Sequence, residues 1–158
     1  MVYPINKILV PIDFSEYSKP AISFSKDLAK IFNSELILVH VVEPILYPPD
    51  FSMGQVALPP LTIDVDSAAK EELERLIKNE IGDEFKTSSL IRTGKPFVEI
   101  VDAAIELDID LIVISSHGRT GVEHILFGST ADKVVQKAPC PVLTVRDPLK
   151  GFKYRESK

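Results

Sequence analysis

Residues 111–130 read LIVISSHGRTGVEHILFGST, and this stretch joins a short apolar run to a glycine-containing loop and then to the start of a helix. The run at residues 111–114 is too short for a helix and has the composition of a buried strand. Gly128 opens a helical pattern that ends before the Pro-Cys-Pro sequence at residues 139–141. The stretch is therefore a strand–loop–helix unit, of the kind from which open α/β sheets are built.

Short apolar runs alternate with helical patterns over the rest of the chain. Residues 8–12, 36–42 and 142–145 predict three more strands, and the polar composition of residues 87–91 predicts another at a sheet edge. Helices that alternate with such strands form βαβ units, whose crossovers are right-handed. The sequence therefore predicts an α/β fold, a three-layer sandwich in which helices cover both faces of a five-stranded parallel sheet.

The helical segments indicate which residues face the sheet. After Ser15, apolar residues recur at intervals of three and four, which is typical of an amphipathic helix. Its inward positions are expected at Ala21, Phe24, Leu28 and Ile31. The next two helices carry apolar positions at Ala69, Leu73, Leu76, Ile77, Phe97, Ile100, Val101 and Ala104. In the last helix, Val134 and Val135 are expected to point inward.

Length and composition predict one domain. The 158 residues suit a single hydrophobic core, which we assign to residues 1–147, and residues 148–158 form a charged C-terminal tail. Residues 44–65 hold five prolines and interrupt the alternation as an insertion loop. Two interpretations of this loop stay open: a solvated, variable insertion, or a lid or subunit contact that shields its apolar residues from water.

Charge and cysteine content narrow the class of function. The formal net charge is −5 and no stretch concentrates Lys and Arg, so nucleic acid is not an expected partner. No apolar run approaches the ~20 residues that span a bilayer, and the first residues lack the pattern of a signal peptide. Cys140 is the only cysteine, which excludes an internal disulfide and fits a reducing compartment. The expectation is a cytoplasmic protein without a membrane partner.

Polar residues and glycines follow two of the predicted strands. In an open parallel sheet, ligands bind beyond the carboxyl ends of the strands, where the strand order reverses. Asp13 follows the first strand, and Gly118 and Gly121 lie in the loop after the fourth. Gly128 and Ser129 then open a helix, whose first N–H groups attract an anion. These features favour a phosphate site, but the glycines also suit a tight turn with Ser129 as the helix N-cap.

The spacing Ser115-x2-Gly118, nine residues, Gly128-Ser129 resembles the Gly-x2-Gly-x9-Gly-Ser/Thr signature of ATP-binding universal stress proteins. This sequence departs from the signature at Ser115, where the family has its first glycine. A Cβ at that position can crowd a nucleotide, and a serine hydroxyl can equally donate a hydrogen bond to it.

Two further blocks extend the resemblance to the universal stress proteins. Residues 8–15, ILVPIDFS, and residues 138–145, APCPVLTV, are similar to the opening and closing blocks of the family. The resemblance covers roughly residues 5–146, with the blocks in the family's order. It implies a sheet with strand order 3-2-1-4-5, a homodimer formed by the last strands of two subunits, and binding of ATP together with Mg²⁺.

The resemblance also implies roles for individual residues. Pro11, Asp13 and the main chain of Val41 would surround the adenosine. The ribose and the phosphates would be wrapped by Ser115, Ser116, His117, Gly118, Arg119, Thr120 and Gly121. The phosphate tail would meet the start of the last helix at Gly128, Ser129, Thr130 and Ala131.

The remaining polar residues allow more than one interpretation. The carboxylate of Asp13 can accept hydrogen bonds from a nucleotide or cap the following helix, and His117 can contact phosphate or brace its loop. His40 lies on an apolar strand, which favours a hydrogen-bonded structural role, and His124 is expected at the surface. No metal-ligand spacing joins these histidines to Cys140, whose thiol has no neighbouring cation and is expected to be unreactive.

The sequence lacks the motifs of several common cofactor-binding and catalytic sites. It has neither the P-loop Gly-x4-Gly-Lys-Ser/Thr nor a Gly-x-Gly-x-x-Gly after the first strand, nor a Gly-x-Ser-x-Gly elbow. The leading hypothesis is a regulatory module whose conformation or partner affinity depends on ATP. The alternatives are a dimeric interaction protein that no longer accepts nucleotide, and a slow ATPase with Asp13 as its candidate base. Slow autophosphorylation at Ser129 or Thr130 also stays open.

Overall fold

The computed structural model describes residues 3–44, 65–117 and 127–146. Within these ranges, strands and helices alternate as β1 (Lys7–Pro11), α1 (Ser18–Phe32), β2 (Glu35–Val42), α2 (Val65–Glu80), β3 (Thr87–Thr93), α3 (Pro96–Glu106), β4 (Leu111–Ser115), α4 (Ser129–Lys137) and β5 (Val142–Val145). None of these helices is both long and apolar enough to cross a bilayer. Nearly all of the insertion at residues 44–65 and the whole tail at residues 148–158 lie outside the described residues.

The strands form one parallel sheet in the order β3-β2-β1-β4-β5, which confirms the predicted fold and strand order. β1 lies at the centre, and its residues Ile8, Leu9 and Val10 are completely buried because helices cover both faces of the sheet. β3 lies at an edge, as its polar composition predicted.

Alternate residues of the central strands supply two core layers. Ile8 and Val10 pack on one face of the sheet with Leu73 of α2. Leu9 points to the opposite face, where it packs with Ile100 of α3. Because successive side chains of a strand point to opposite faces, one apolar strand serves both layers of the sandwich.

Helix α1 forms where it was predicted but turns a different face to the sheet. Phe24 and Ile31, which the apolar spacing placed inside, are 48% and 73% exposed, so that prediction was wrong. The hydroxyl of Ser25 is satisfied inside because it donates to the carbonyl oxygen of Ala21 at 2.6 Å. Small residues dominate the inward stripe and let the helix lie close to the sheet. The buried residues of α1 are Ser18, Ala21, Ile22, Ser25 and Ala29.

Helix α4 faces the core with one of its two central valines. Val134 is fully buried, whereas Val135 is 48% exposed, so the inward assignment of Val135 was wrong. Adjacent residues of an α-helix are separated by about 100° around its axis, and in α4 this rotation turns Val135 away from the face on which Val134 lies. In α2 and α3 the predicted inward positions are confirmed at Ala69, Leu73, Ile100 and Ala104.

Candidate functional site

A cleft of about 640 Å³ opens at the carboxyl edge of the sheet. It lies over the junction of β1 and β4, from which the strand order runs outward to β2 and β3 on one side and to β5 on the other. Open α/β sheets bind ligands at such a switch point, and the volume is typical of a small-molecule site.

The cleft gathers the predicted binding residues from four separate parts of the chain. Those that line it are Pro11, Asp13, Val41, Ser115, Ser116, His117, Gly128, Ser129, Thr130 and Ala131. Gly118, Arg119, Thr120 and Gly121 lie outside the described residues. The structure therefore brings together every described member of the predicted set, and their contacts with a nucleotide stay predictions.

The carboxylate of Asp13 organises the turn between β1 and α1. Its Oδ1 accepts hydrogen bonds from the Ser15 N–H at 3.0 Å, the Ser15 hydroxyl at 2.6 Å and the Ser18 hydroxyl at 2.8 Å. Between them, Phe14 has a φ of 62°, a conformation that costs roughly 1–2 kcal/mol for a residue with a Cβ. The three hydrogen bonds offset this strain. Asp13 thus braces the turn before the helix, whereas the N-cap itself is Tyr17.

His40 has the structural role that its place on an apolar strand predicted. Its Nδ1 lies 2.7 Å from the carbonyl oxygen of Ile12. Because a carbonyl only accepts hydrogen bonds, Nδ1 carries the proton. The imidazole also lies against the Phe14 ring, with 4.4 Å between the ring centres. This bond and ring contact tie the end of β1 to β2 at the floor of the cleft.

Ser115 ends β4 in a small hydrogen-bonded turn. Its hydroxyl donates to the main-chain oxygen of His117 at 2.8 Å and accepts from the His117 N–H at 3.4 Å. The Ser116 hydroxyl lies 3.0 Å from Nδ1 of His117, whose ring centre is 6.1 Å from that of Tyr17. His117 therefore braces the turn, which is one of its two predicted roles. The serine that replaces the signature glycine directs its hydroxyl at its own turn.

Main-chain hydrogen bonds hold the start of α4 against this turn. The Gly128 N–H donates to the Ser116 oxygen at 2.7 Å, and the Ser116 N–H donates to the Val145 oxygen at 3.0 Å. Gly128 is the N-cap of α4, so the interpretation of Ser129 as the N-cap was wrong. Gly128 has φ −65° and ψ 150°, an extended conformation open to any residue. The backbone conformation therefore does not require a glycine at this position.

Sequence reasoning missed part of the cleft wall. Phe14, Glu43 and Glu72 line the cleft, and Ile100 does so too although it was predicted only as a core position. Glu43 directly follows β2, so the rule that singled out Asp13 at a strand end could have found it. Glu72 belongs to α2, and the way a helix docks beside the sheet leaves no comparable signal in the sequence.

The described residues contain neither a cluster of metal ligands nor an activated thiol. Within residues 3–44, 65–117 and 127–146, no group of three or more His, Cys, Asp or Glu side chains could hold a metal ion. Burial raises the pKa of the Cys140 thiol, and the nearby charge of Asp110 adds to the effect. A raised pKa keeps the thiol protonated at neutral pH, where it is a poor nucleophile.

Known proteins with similar sequences and structures share one family. The universal stress protein family model matches residues 4–146. Universal stress protein MJ0531 of Methanocaldococcus jannaschii is 34% identical over 149 residues, which cover 92% of this chain and 84% of that protein. The solved structure of universal stress protein UspA from Lactobacillus plantarum is 28% identical, with a TM-score of 0.75 over 90% of this chain and 98% of that one.

Two further solved universal stress proteins share the fold and hold adenine nucleotides. The protein from Archaeoglobus fulgidus in complex with dAMP is 24% identical, with a TM-score of 0.55 over 90% of this chain and 98% of that one. The protein in complex with cAMP is 21% identical, with a TM-score of 0.60 over 89% of this chain and 95% of that one. Likenesses this distant concern the fold alone. The family match over residues 4–146 and the similarity to MJ0531 are decisive: this chain belongs to the universal stress protein family.

Proposed function

We propose that this protein is a cytoplasmic regulatory module that binds ATP, with Mg²⁺, in the cleft over β1 and β4. The observation that carries the proposal is the start of α4, where Ser129, Thr130 and Ala131 line the cleft beside the turn that ends β4. The first N–H groups of a helix have no partner inside the helix and lie at its positive dipole end. They therefore offer a phosphate group hydrogen-bond donors and a favourable field.

The β1 side of the cleft has groups that suit an adenosine. Asp13 presents a carboxylate, which accepts hydrogen bonds from ribose hydroxyls or from the adenine amino group. Pro11 and Val41 add apolar surface next to it. Mg²⁺ would accompany the triphosphate and be held by phosphate oxygens, the hard ligands that this ion prefers. We expect residues 118–121, outside the described ranges, to complete the contacts with the ribose and phosphates.

Solved proteins of the same fold support the choice of ligand class. The complexes with dAMP and cAMP place adenine nucleotides on universal stress proteins that share this chain's fold. Their sequence identity is too low to transfer individual contacts. Adenine is therefore the base to test first. The number of phosphates that the cleft prefers is argued from the residues of this chain.

Two other functions compete with ATP-dependent regulation. The first is a nucleotide-independent interaction protein of the same fold, which Ser115 favours because it replaces a glycine of the nucleotide signature. The hydroxyl of Ser115, however, donates to the main-chain oxygen of His117 within the turn and is not directed at the nucleotide. A slow ATPase needs a base beside the water that attacks the terminal phosphate, whereas we place Asp13 at the adenosine side of the cleft. The geometry of the described residues therefore supports binding more directly than turnover.

Ligand identification tests the proposed function directly. Protein purified without added nucleotide and then denatured should release a compound with the absorbance of adenine and the mass of an adenine nucleotide. Calorimetry of the stripped protein with Mg-ATP should then give a measurable affinity. A folded protein that binds no adenine nucleotide at high concentration, with or without Mg²⁺, would contradict the proposal and leave the interaction protein as the function.

We also propose that two copies of this chain pair through β5. β5 is an edge strand whose inner neighbour is β4. The main-chain oxygen of Pro141 accepts a hydrogen bond from the Ile112 N–H in β4, and that of Val145 accepts one from the Ser116 N–H. The main-chain groups at these odd-numbered positions therefore face β4. Because the direction alternates along a strand, the main-chain groups of Val142 and Thr144 point outward, where a second β5 can bind them.

Thr144→Pro should separate such a dimer, because it removes an outward N–H and spares the inward hydrogen bonds to β4. Size-exclusion chromatography with light scattering should find a dimer for the parent protein and a monomer for the variant at the same concentration. Circular dichroism shows whether the variant keeps its fold. A folded Thr144→Pro protein that is still dimeric would place the subunit contact elsewhere.

A further inference from the structure

Two lysines share one aromatic ring where α3 and α4 begin. Nζ of Lys95 lies 5.2 Å from the centre of the Phe97 ring, and Nζ of Lys133 lies 5.0 Å from it. Phe97 is partly buried and packs against the core layer beneath the two helices. A cation within about 6 Å of a ring centre is attracted by the negative face of the ring. Phe97 therefore holds two ammonium groups in one place, and we call Lys95 and Lys133 the lysine pair.

The lysine pair lies beside the cleft. Pro96, which follows Lys95, lines the cleft, and so does Thr130, three residues before Lys133. Residues three apart are neighbours on a helix surface, so Lys133 stands one turn behind the cleft-lining start of α4. The two ammonium groups are thus next to the wall that α3 and α4 contribute, and neither lysine is itself one of the residues that line the cleft.

No carboxylate forms an ion pair with either lysine among the described residues, where the ion pairs involve other side chains. The acidic residues nearest in sequence have different contacts. The Glu99 carboxylate lies against Gly94, and Asp132 Oδ2 accepts a hydrogen bond from Gln136 at 2.9 Å. The shared ring keeps the two ammonium groups within about one Debye length of each other, ~10 Å at 0.1 M salt, so they repel. An anion at this wall would remove that repulsion.

The other wall of the cleft carries the opposite charge. Asp13, Glu43 and Glu72 line it on the side of β1, β2 and α2. Carboxylates accept hydrogen bonds from a sugar and an amino group but repel phosphates, whereas ammonium groups attract phosphates. The charge therefore differs between the two sides of the cleft, and this difference favours a nucleotide whose phosphates lie toward α3 and α4.

We infer that the lysine pair makes the cleft prefer nucleotides with two or three phosphates over nucleoside monophosphates. This inference rests on the proposed function and adds a specificity to it. The start of α4 offers N–H groups for a single phosphate, and in a nucleotide without Mg²⁺ each further phosphate adds negative charge that a nearby cation stabilises. The sequence has no P-loop lysine for this task. Lys95 and Lys133 supply the charge from two different helices.

Replacing both lysines by glutamine tests this inference. In the Lys95→Gln/Lys133→Gln protein, the affinity for ATP should fall about fivefold while that for AMP changes less than about twofold, as expected for two partly exposed charges. Increasing NaCl should weaken ATP binding to the parent protein more steeply than to the double variant. Calorimetry with ATP, ADP and AMP in the presence of EDTA, so that Mg²⁺ does not neutralise the added phosphates, measures both effects at two salt concentrations. Lys137→Gln is the control for a lysine outside the pair, because it removes one such charge from the last turn of α4.

The experiments distinguish a failure of the inferred role of the lysine pair from a failure of the proposed function. Equal losses of ATP and AMP affinity in the double variant, or the same change of the ATP-to-AMP ratio in Lys137→Gln, would overturn the role of the pair. Inorganic tripolyphosphate serves as a probe that has no base, and it should bind the parent protein more tightly than the double variant. If adenine nucleotides do not bind at all, the proposed function is wrong, and tripolyphosphate still decides whether the pair attracts polyphosphate.

Discussion

Gly128→Val is expected to weaken binding of Mg-ATP at least tenfold, about 1.4 kcal/mol, without unfolding the protein. Gly128 is the N-cap of α4 and lines the cleft with the first residues of that helix. A valine side chain would fill the space at the helix start, where we propose that the phosphates bind. The loss should extend to ADP, because the change acts on the site of the phosphate tail rather than on the terminal phosphate alone.

The backbone at Gly128 accepts valine. Its φ of −65° and ψ of 150° lie in the extended region, which β-branched residues occupy readily. The hydrogen bond from its N–H to the Ser116 oxygen involves the main chain only. Because valine is a poorer N-cap residue than glycine, the free energy of unfolding should fall by about 1 kcal/mol, which leaves the protein folded. A loss of ATP affinity in this variant is then an effect on the site and not on the fold.

Gly82→Val provides the reverse control. Gly82 has a φ of +73° with open space around its Cβ position, and it does not line the cleft. Valine should cost stability there because the conformation is left-handed, by roughly 1–2 kcal/mol, and should leave ATP affinity unchanged. Calorimetry and urea unfolding of both variants separate the two effects. Unchanged ATP affinity in Gly128→Val would remove the helix-start model of phosphate binding.

The strands were predictable because a buried parallel strand needs a continuous apolar run. The runs at residues 8–12, 111–114 and 142–145 match β1, β4 and β5 to within one residue at each end. Strand order is a different kind of property, because it depends on contacts between distant residues such as Ile8 and Leu111. Composition and periodicity leave it open, and the predicted order came from the family resemblance.

The candidate site was predictable where it consists of strand ends and a helix start. Asp13 follows the first strand, Ser115 ends β4, Gly128 precedes a helix, and all three line the cleft. The hydrogen bonds within the site were not predictable in the same way. The position of the Asp13 carboxylate depends on the φ of 62° at Phe14, which the spacing does not indicate. Glu72 reaches the cleft because α2 packs on β2 and β3, a result of tertiary docking.

The faces of the helices were predicted least well, because α1 and α4 carry more apolar residues than the sheet covers. In α1, one apolar stripe contains Phe24 and Ile31, and the neighbouring stripe of small residues is the one that packs. Exposed apolar side chains are common on protein surfaces, so hydrophobicity alone does not identify the buried stripe. Val134 and Val135 of α4 are equally apolar, so hydrophobicity alone does not show which of the two is buried.

Val134→Ala is expected to lower the free energy of unfolding by about 2 kcal/mol, whereas Val135→Ala should change it by less than about 0.5 kcal/mol. Val134 is fully buried and packs with Leu9 and Ile112 in the core layer beneath α3 and α4. Truncation to alanine removes two buried methyl groups, worth about 0.8 kcal/mol each, and leaves a cavity that adds to the cost. Val135 is 48% exposed and loses little on truncation.

The two valine variants control for each other, because they make the same chemical change one residue apart on one helix. Alanine has the higher helix propensity, and this gain is common to both variants, so their difference isolates the burial of Val134. Urea unfolding followed by circular dichroism, without nucleotide, gives both free energies. Equal losses would mean that α4 turns another face to the sheet. In that case Ser129 and Thr130 would no longer be placed at the cleft, and the phosphate site would lose its structural basis.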